Sequence, residues 1–216
     1  MTASRAVLFD FDGTLADTAP DLAAAVNRMR LEQGLAPLAI EELRPFASAG
    51  ARGLVHVAFG VQPQDAEYRA LRETFLEYYA ERLCVETRLF PGIVELLDAL
   101  RTRGVRWGVV TNKATRFTER ILGTLGLEPD CIACGDTTPH LKPHPASLLH
   151  AARELALEPP QCVYLGDDLR DMQAAHAAGM RPVAVQWGYH HPESGGPANW
   201  NAAAVIDHPL EVLDLL

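Results

Sequence analysis

Lysine is almost missing from this chain: among its 19 basic residues only Lys113 and Lys142 are lysines. Positive charge as a whole is in deficit, with a formal net charge of −9. That excludes the basic face which nucleic acid or an anionic membrane surface requires. Long apolar runs are absent as well, since none approaches the roughly 18–20 residues of a membrane span. The chain enters a strand-like segment within its first residues, without a basic n-region and a signal-like apolar h-region, so the expected location is cytoplasmic. Cysteine is sparse. Cys84, Cys131, Cys134 and Cys162 suit reduced thiols in a cytosolic enzyme, and Cys131-Ile-Ala-Cys134 is one CxxC without a second pair, which gives little support for zinc.

What is present is length and alternation. The 216 residues, 48% apolar and 22% charged, suffice for one substantial domain or a core with a smaller lobe. Residues 6–9 form a short apolar run that stops at Asp10-Phe-Asp-Gly13, the pattern of a buried strand ending in a loop. Residues 107–110, 131–133 and 162–165 repeat that form, and 182–185 and 203–206 are two further candidates. Helical patterns over 92–103, 115–125, 145–155 and 169–178 separate them, most closed by Gly or Pro. Such alternation predicts an α/β fold, a Rossmann-like doubly wound parallel sheet with helices on both faces.

One stretch breaks the pattern. Between residues 17 and 84 the signals are helical only, over 21–32, 40–46, 51–59 and 65–83. A helical block placed directly after the first strand reads as a separate lobe. Residues 1–16 and 86–216 are then the core and 17–85 a small α-helical cap, with hinges near 16–18 and 85–90. Residues 186–201 form a Pro/Gly-rich loop of a length that is often functional.

In an open parallel sheet, ligands bind beyond the carboxyl ends of the strands. Asp10 and Asp12 follow the first expected strand, and Thr111 and Asn112 the second. Lys142 lies in the loop after the third, and Asp167, Asp168 and Asp171 follow the fourth. Oxygen ligands for a hard cation such as magnesium, with a hydroxyl, amides and an ammonium for phosphoryl oxygens, would converge on one crevice. Taken singly these residues are unremarkable: Asp-x-Asp-Gly is usually a solvated turn, and Asp167 or Asp168 could simply cap a helix. Their joint occurrence at successive strand ends favours a site. Asp168 is better suited to a cap or an outer position than to direct metal binding, and His140 and His144 are expected to be loop histidines.

Four segments resemble the motifs of the haloacid dehalogenase-like hydrolases: Asp10-Phe-Asp12-Gly-Thr14, Val109-Val-Thr111-Asn112, Lys142-Pro-His-Pro145 and Gly166-Asp-Asp-Leu-Arg-Asp171. The resemblance implies a magnesium-dependent phosphomonoesterase acting on a small-molecule phosphate ester as a monomer or homodimer. Asp10 would be the nucleophile that forms an aspartyl-phosphate, and Asp12 the acid and base. Asp10, Asp167 and the backbone carbonyl of Asp12 would hold Mg2+, with Asp168 and Asp171 outside them. Thr111, the Asn112 amide and Lys142 would hold the phosphoryl group.

The helical insert resembles the cap of the phosphoglycolate phosphatase branch. Ser48-Ala-Gly-Ala-Arg52, Trp107–Lys113, Gly166–Asp171, Gly188-Tyr-His-His-Pro-Glu193, Pro197-Ala-Asn-Trp200 and Val205-Ile-Asp-His-Pro-Leu210 resemble more closely the N-acetylmuramic acid 6-phosphate phosphatases of cell-wall recycling. Arg52, after a possible helix start at Ser48-Ala-Gly50, suits a substrate carboxylate. Both substrates carry one, so Arg52 does not choose between them. A dehalogenase is disfavoured by Asp12 and Asp167. A sugar phosphomutase stays open, and a phospho-receiver domain is disfavoured by the chain's length and insert.

Overall fold

The computed structural model describes residues 5–216, so the first four residues of the expected core segment lie outside the described residues. In chain order the first half contains β1 (Ala6–Phe9), β2 (Ala16–Asp17), α1 (Ala19–Glu32), α2 (Ile40–Leu43), α3 (Gly50–Phe59), α4 (Tyr68–Glu81) and β3 (Arg88–Leu89). The remainder contains α5 (Ile93–Thr102), β4 (Arg106–Val110), α6 (Thr115–Leu125), β5 (Cys131–Ala133), α7 (Ala146–Glu154), β6 (Cys162–Gly166), α8 (Leu169–Ala178), β7 (Arg181–Val185) and β8 (Ala204–Ile206). Six strands form one sheet in the order β5-β4-β1-β6-β7-β8. Every neighbouring pair in it is parallel.

Parallel strands covered on both faces need apolar residues at every position, and β1 and β6 are buried throughout. Their side chains alternate between two cores. Val7, Phe9, Val163 and Leu165 pack with Ile93, Leu96 and Leu100 of α5 and Phe117 and Ile121 of α6. Ala6, Leu8, Cys162 and Tyr164 face Leu148, Ala151 and Ala152 of α7 and Ala174 and Ala175 of α8. The four cysteines are free thiols. Burial raises Cys131 to about 12 and Cys162 to about 11, which keeps both as neutral packing groups.

The strand order reverses at β1, whose neighbours β4 and β6 continue the sheet in opposite directions. The crevice of a doubly wound sheet opens at that point, beyond the carboxyl end of β1.

Helices α1–α4 lie between β2 and β3, outside the large sheet. These two strands form an antiparallel ribbon, Ala16 opposite Leu89 and Asp17 opposite Arg88, too short for a period-2 signal. Buried Asp21 of α1 accepts from the amides of Glu86 and Thr87, both at 2.9 Å, and from the Thr87 hydroxyl at 2.7 Å. The outgoing and returning segments are thereby tied together. Two expected helices are shorter than their sequence patterns. The one expected over 40–46 ends at Leu43 and continues as a 3₁₀ segment, Arg44–Ala49, because Pro45 has no amide to continue the α pattern. The one expected from 65 starts at Tyr68, since Asp65 closes a turn by accepting from Gln62 N at 2.7 Å. No helix of the described residues is long and apolar enough to cross a membrane.

Phe9 is fully buried at the centre of the sheet, with Trp107 edge-on at 6.1 Å between centroids. Truncation there leaves a cavity with little freedom to collapse. Phe9→Ala is expected to cost about 3–5 kcal/mol, read as a lower midpoint in urea unfolding; a loss below about 1 kcal/mol contradicts this packing.

Candidate active site

Asp10 stands one residue beyond β1, where its amide donates to Leu165 O at 2.8 Å and continues the pairing of β1 with β6. Its Oδ1 accepts from the Phe11 amide at 2.7 Å and lies 2.8 Å from Lys142 Nζ. Lys142 Nζ also donates to Asp171 Oδ1 at 2.7 Å and Val110 O at 3.2 Å, and meets the Tyr164 hydroxyl at 2.8 Å. Burial would push this amine down, yet Asp10 and Asp171 outweigh it and hold its pKa above the ordinary lysine value. For Asp171, burial dominates and lifts the pKa to about 7, with Lys142 pulling down and Asp10 pushing up.

Asp167 completes the cluster from the end of β6. It is fully buried, accepts from Thr14 Oγ1 at 2.9 Å, and receives Tyr189 N at 2.9 Å and Ser48 Oγ at 3.1 Å. Two glycines press directly on it. A Cβ on Gly13, at φ +90°, would come 2.2 Å from Asp167 Oδ2, and one on Gly188 would come 2.1 Å from its Cβ. Burial, then the charges of Asp10 and Asp171, push the Asp167 pKa well above the usual carboxylate range.

Asp10, Asp167 and Asp171 offer oxygens all within 4.8 Å of one another. Three carboxylates against one ammonium leave this pocket short of positive charge. The all-oxygen donor set is what a hard divalent cation takes, so the residues fit one.

The remaining expected residues fall around this cluster. The Asp12 carboxylate is engaged elsewhere: Oδ1 accepts from Lys113 Nζ at 2.8 Å and from the hydroxyl of Thr18, the residue after β2. Lys113 was not among the expected site residues, although it was one of only two lysines and stood beside Thr111 and Asn112. It lies 4.9 Å above the Tyr79 ring. Burial works against its charge, but Asp12 and then Tyr79 raise its pKa. Thr111 is buried at the end of β4, where its Oγ1 accepts from Lys113 N at 3.1 Å. The Asn112 side chain is committed to the Lys142 backbone, donating to its carbonyl at 3.1 Å and accepting from its amide at 2.8 Å. That exchange holds the lysine loop against β4.

Asp168 caps α8 through the Arg170 amide at 2.8 Å and meets the Arg170 guanidinium at 2.8 Å. Burial would raise its pKa, but Arg170 more than offsets this and holds it low. Arg170 also donates to Ser48 O at 3.1 Å, so it ties the core to the insert. His140 and His144 lie against each other at a tilt in the loop around Lys142, with centroids 4.3 Å apart.

Asp10, Asp12, Thr111, Asn112, Lys142, Asp168 and Asp171 line one cavity of about 430 Å³ between the sheet and the insert. The insert supplies Ser48, Arg52, Tyr68, Arg72, Phe75 and Tyr79 to its wall. Arg52 is exposed in the first turn of α3 and does not reach the carboxylates by any ion pair among the described residues.

Residues 7–185 match the family of haloacid dehalogenase-like hydrolases, and the chain belongs to that family. Over 214 residues it is 44% identical to an N-acetylmuramic acid 6-phosphate phosphatase of Pseudomonas aeruginosa, covering 98% of this chain and 94% of that protein. It is 43% identical to a phosphoglycolate phosphatase of Xanthomonas campestris pv. campestris, covering 98% and 96%. A crystal structure described as a predicted phosphoglycolate phosphatase from Haemophilus somnus superposes with a TM-score of 0.87 at 29% identity, covering 100% of this chain and 99% of that one.

The raised carboxyl groups set the pH response of the metal-free protein. Asp171 rises from 3.8 to about 7 on folding, so between those values the folded state holds more protons than the unfolded state. Stability contributed here is therefore full below about pH 4 and is lost as pH rises towards 7. Thermal unfolding with chelator should show this downward slope, and a divalent cation should raise Tm most at the upper end. A Tm indifferent to divalent cations at pH 7 contradicts the assignment. Separately, Gly188→Ala should displace Asp167, costing about 1–3 kcal/mol by overpacking and weakening cation binding at least tenfold by calorimetry; unchanged affinity contradicts that contact.

Proposed function

We propose that this phosphoric monoester hydrolase releases phosphate from N-acetylmuramic acid 6-phosphate in the cytoplasm, as a step of peptidoglycan recycling, with Asp10 as nucleophile. The observation that carries the reading is the meeting of Asp10, Lys142 and the buried carboxylate cluster at the wall of a cavity that the helical insert also lines. In this reading residues 17–85 are a cap on a core of residues 1–16 and 86–216. Asp10 and Asp167, with the backbone carbonyl of Asp12, would hold Mg2+, and Asp171 adjoins them. When bound, the ion supplies positive charge that offsets the repulsion between the Asp10 carboxylate and an anionic ester.

Asp10 is pre-oriented for attack because both of its hydrogen bonds fall on Oδ1. A bond forms between its carboxylate and phosphorus as the bond to the sugar oxygen breaks. Asp12 gives its proton to that leaving oxygen. It then takes a proton from the water that attacks the aspartyl-phosphate, which frees phosphate and restores Asp10. Lys142 counters charge on Asp10 and the phosphoryl oxygens, and the Thr111 hydroxyl and Asn112 amide hold the phosphoryl group. Lys113 and Thr18 hold Asp12 at the hinge of the cap.

The size and wall of the cavity support the sugar substrate. About 430 Å³ lined by Tyr68, Phe75, Leu76 and Tyr79 suits a ring that packs on apolar surface. Phosphoglycolate, named for relatives of similar identity, is the second reading.

Purified protein should release phosphate from the muramic ester at least tenfold faster than from phosphoglycolate, measured as kcat/KM. The reverse preference sinks the sugar reading. Asp10→Asn should abolish release while leaving the circular dichroism spectrum intact, and chelation should stop turnover until magnesium is restored. Wild-type rates in that variant, or indifference to chelator, overturn the mechanism.

A further inference from the structure

The cavity has two electrostatically different parts. Around the carboxylates every cation is committed: Lys142 to Asp10 and Asp171, Lys113 to Asp12, and Arg170 to Asp168. Elsewhere on the wall stand Arg52 of α3, Arg72 of α4 and Arg116 of α6. Among the described residues none of these three has an ion-pair partner. All three are exposed to solvent while lining this one cavity.

Arg72 is exposed, yet it stands on the stripe of its helix that lines the cavity. The face of α4 that lines the cavity is Tyr68, Arg72, Phe75, Leu76 and Tyr79, a helical stripe that is otherwise aromatic or aliphatic. The solvent face already carries its charges, Arg69 paired with Glu73 at 3.0 Å and exposed Glu77. Arg116 approaches from the core. Its guanidinium lies 4.5 Å above the Phe117 ring, which steadies the charge without neutralising it. The nearby acid, Asp136, accepts from the Thr115 amide at 3.0 Å and from the Thr115 hydroxyl and feels the charge of Arg116, but forms no ion pair with it among the described residues.

We propose that Arg72 and Arg116, one from the insert and one from the core, form with Arg52 a second anion subsite that reads a carboxylate on the leaving group, remote from the transferred phosphate. The inference rests on the phosphatase reading and narrows its substrate class. It calls for an ester whose carboxylate is separated from the phosphate by the span of a sugar ring. In a two-carbon acid the ester oxygen and the carboxylate flank a single carbon, and such an acid cannot use both parts of the cavity. Because Arg72 and Arg116 belong to different lobes, the carboxylate also draws the insert onto the core.

The test compares N-acetylmuramic acid 6-phosphate with N-acetylglucosamine 6-phosphate, which has the same ring and phosphate but no carboxylate. In Arg72→Gln and in Arg116→Gln the ratio of kcat/KM for the acid ester to that for the neutral ester should fall at least tenfold. Arg69→Gln, on the solvent face of the same helix, should keep the wild-type ratio. A ratio within twofold of wild type in both cavity variants, or an equal fall on both esters, overturns the subsite. Calorimetric binding of free N-acetylmuramic acid reads the subsite without turnover, and its Kd should rise at least tenfold in each cavity variant. Unchanged Kd overturns the subsite even where phosphate is released. Arginine-dependent binding without phosphate release from either ester overturns only the phosphatase reading.

Discussion

Three buried carboxylates, Asp10, Asp167 and Asp171, lie together beside one ammonium, that of Lys142, which pairs with Asp10 and Asp171. Placing like charges within 4.8 Å of one another at low solvent access is costly unless cations or hydrogen bonds answer them. Much of the surrounding structure serves that end. The Asn112 side chain fixes the Lys142 backbone, Tyr164 and Val110 fix its ammonium, and Thr14, Ser48 and Tyr189 surround Asp167 with donors. Glycine at positions 13 and 188 allows the backbone to come that close. The arrangement stays short of positive charge, a deficit that a divalent cation would offset.

The same electrostatics divide the cavity. Asp12 is kept out of the cluster by Lys113 and Thr18, so the proposed proton carrier and the proposed nucleophile answer to different cations. The chain's scarcity of lysine sharpens the point: both lysines are spent here, each on one aspartate of the first motif. Arginine lines the cavity from both sides, Arg52 and Arg72 from the insert and Arg116 from the core. Ser48 and Arg170 bring the insert into contact with the core beside Asp167 and Asp168.

Most of the sheet is legible in the sequence because each parallel strand is an uninterrupted apolar run that ends at a polar residue. The four motifs are legible for the same reason, since each follows such a run. The β2–β3 ribbon is not, because two residues a side carry no periodicity. Pairings across long separations are equally hidden: Lys113 meets Asp12 across 101 positions and Thr14 meets Asp167 across 153. Arg72 reads as one more charge on an amphipathic helix until the stripe of α4 that lines the cavity is known. Pro45 marked the break in the helix expected over 40–46, and Asp65 the late start of α4, but helical periodicity alone gave neither.

The account turns on a covalent bond between phosphorus and Asp10, and trapping it is the most direct measurement. Protein mixed with radiolabelled ester and magnesium, quenched in acid within one turnover and digested, should carry acid-stable, hydroxylamine-sensitive phosphate on the peptide containing Asp10. Label on another peptide, or rapid phosphate release with no labelled protein at any quench time under single-turnover conditions, would contradict it.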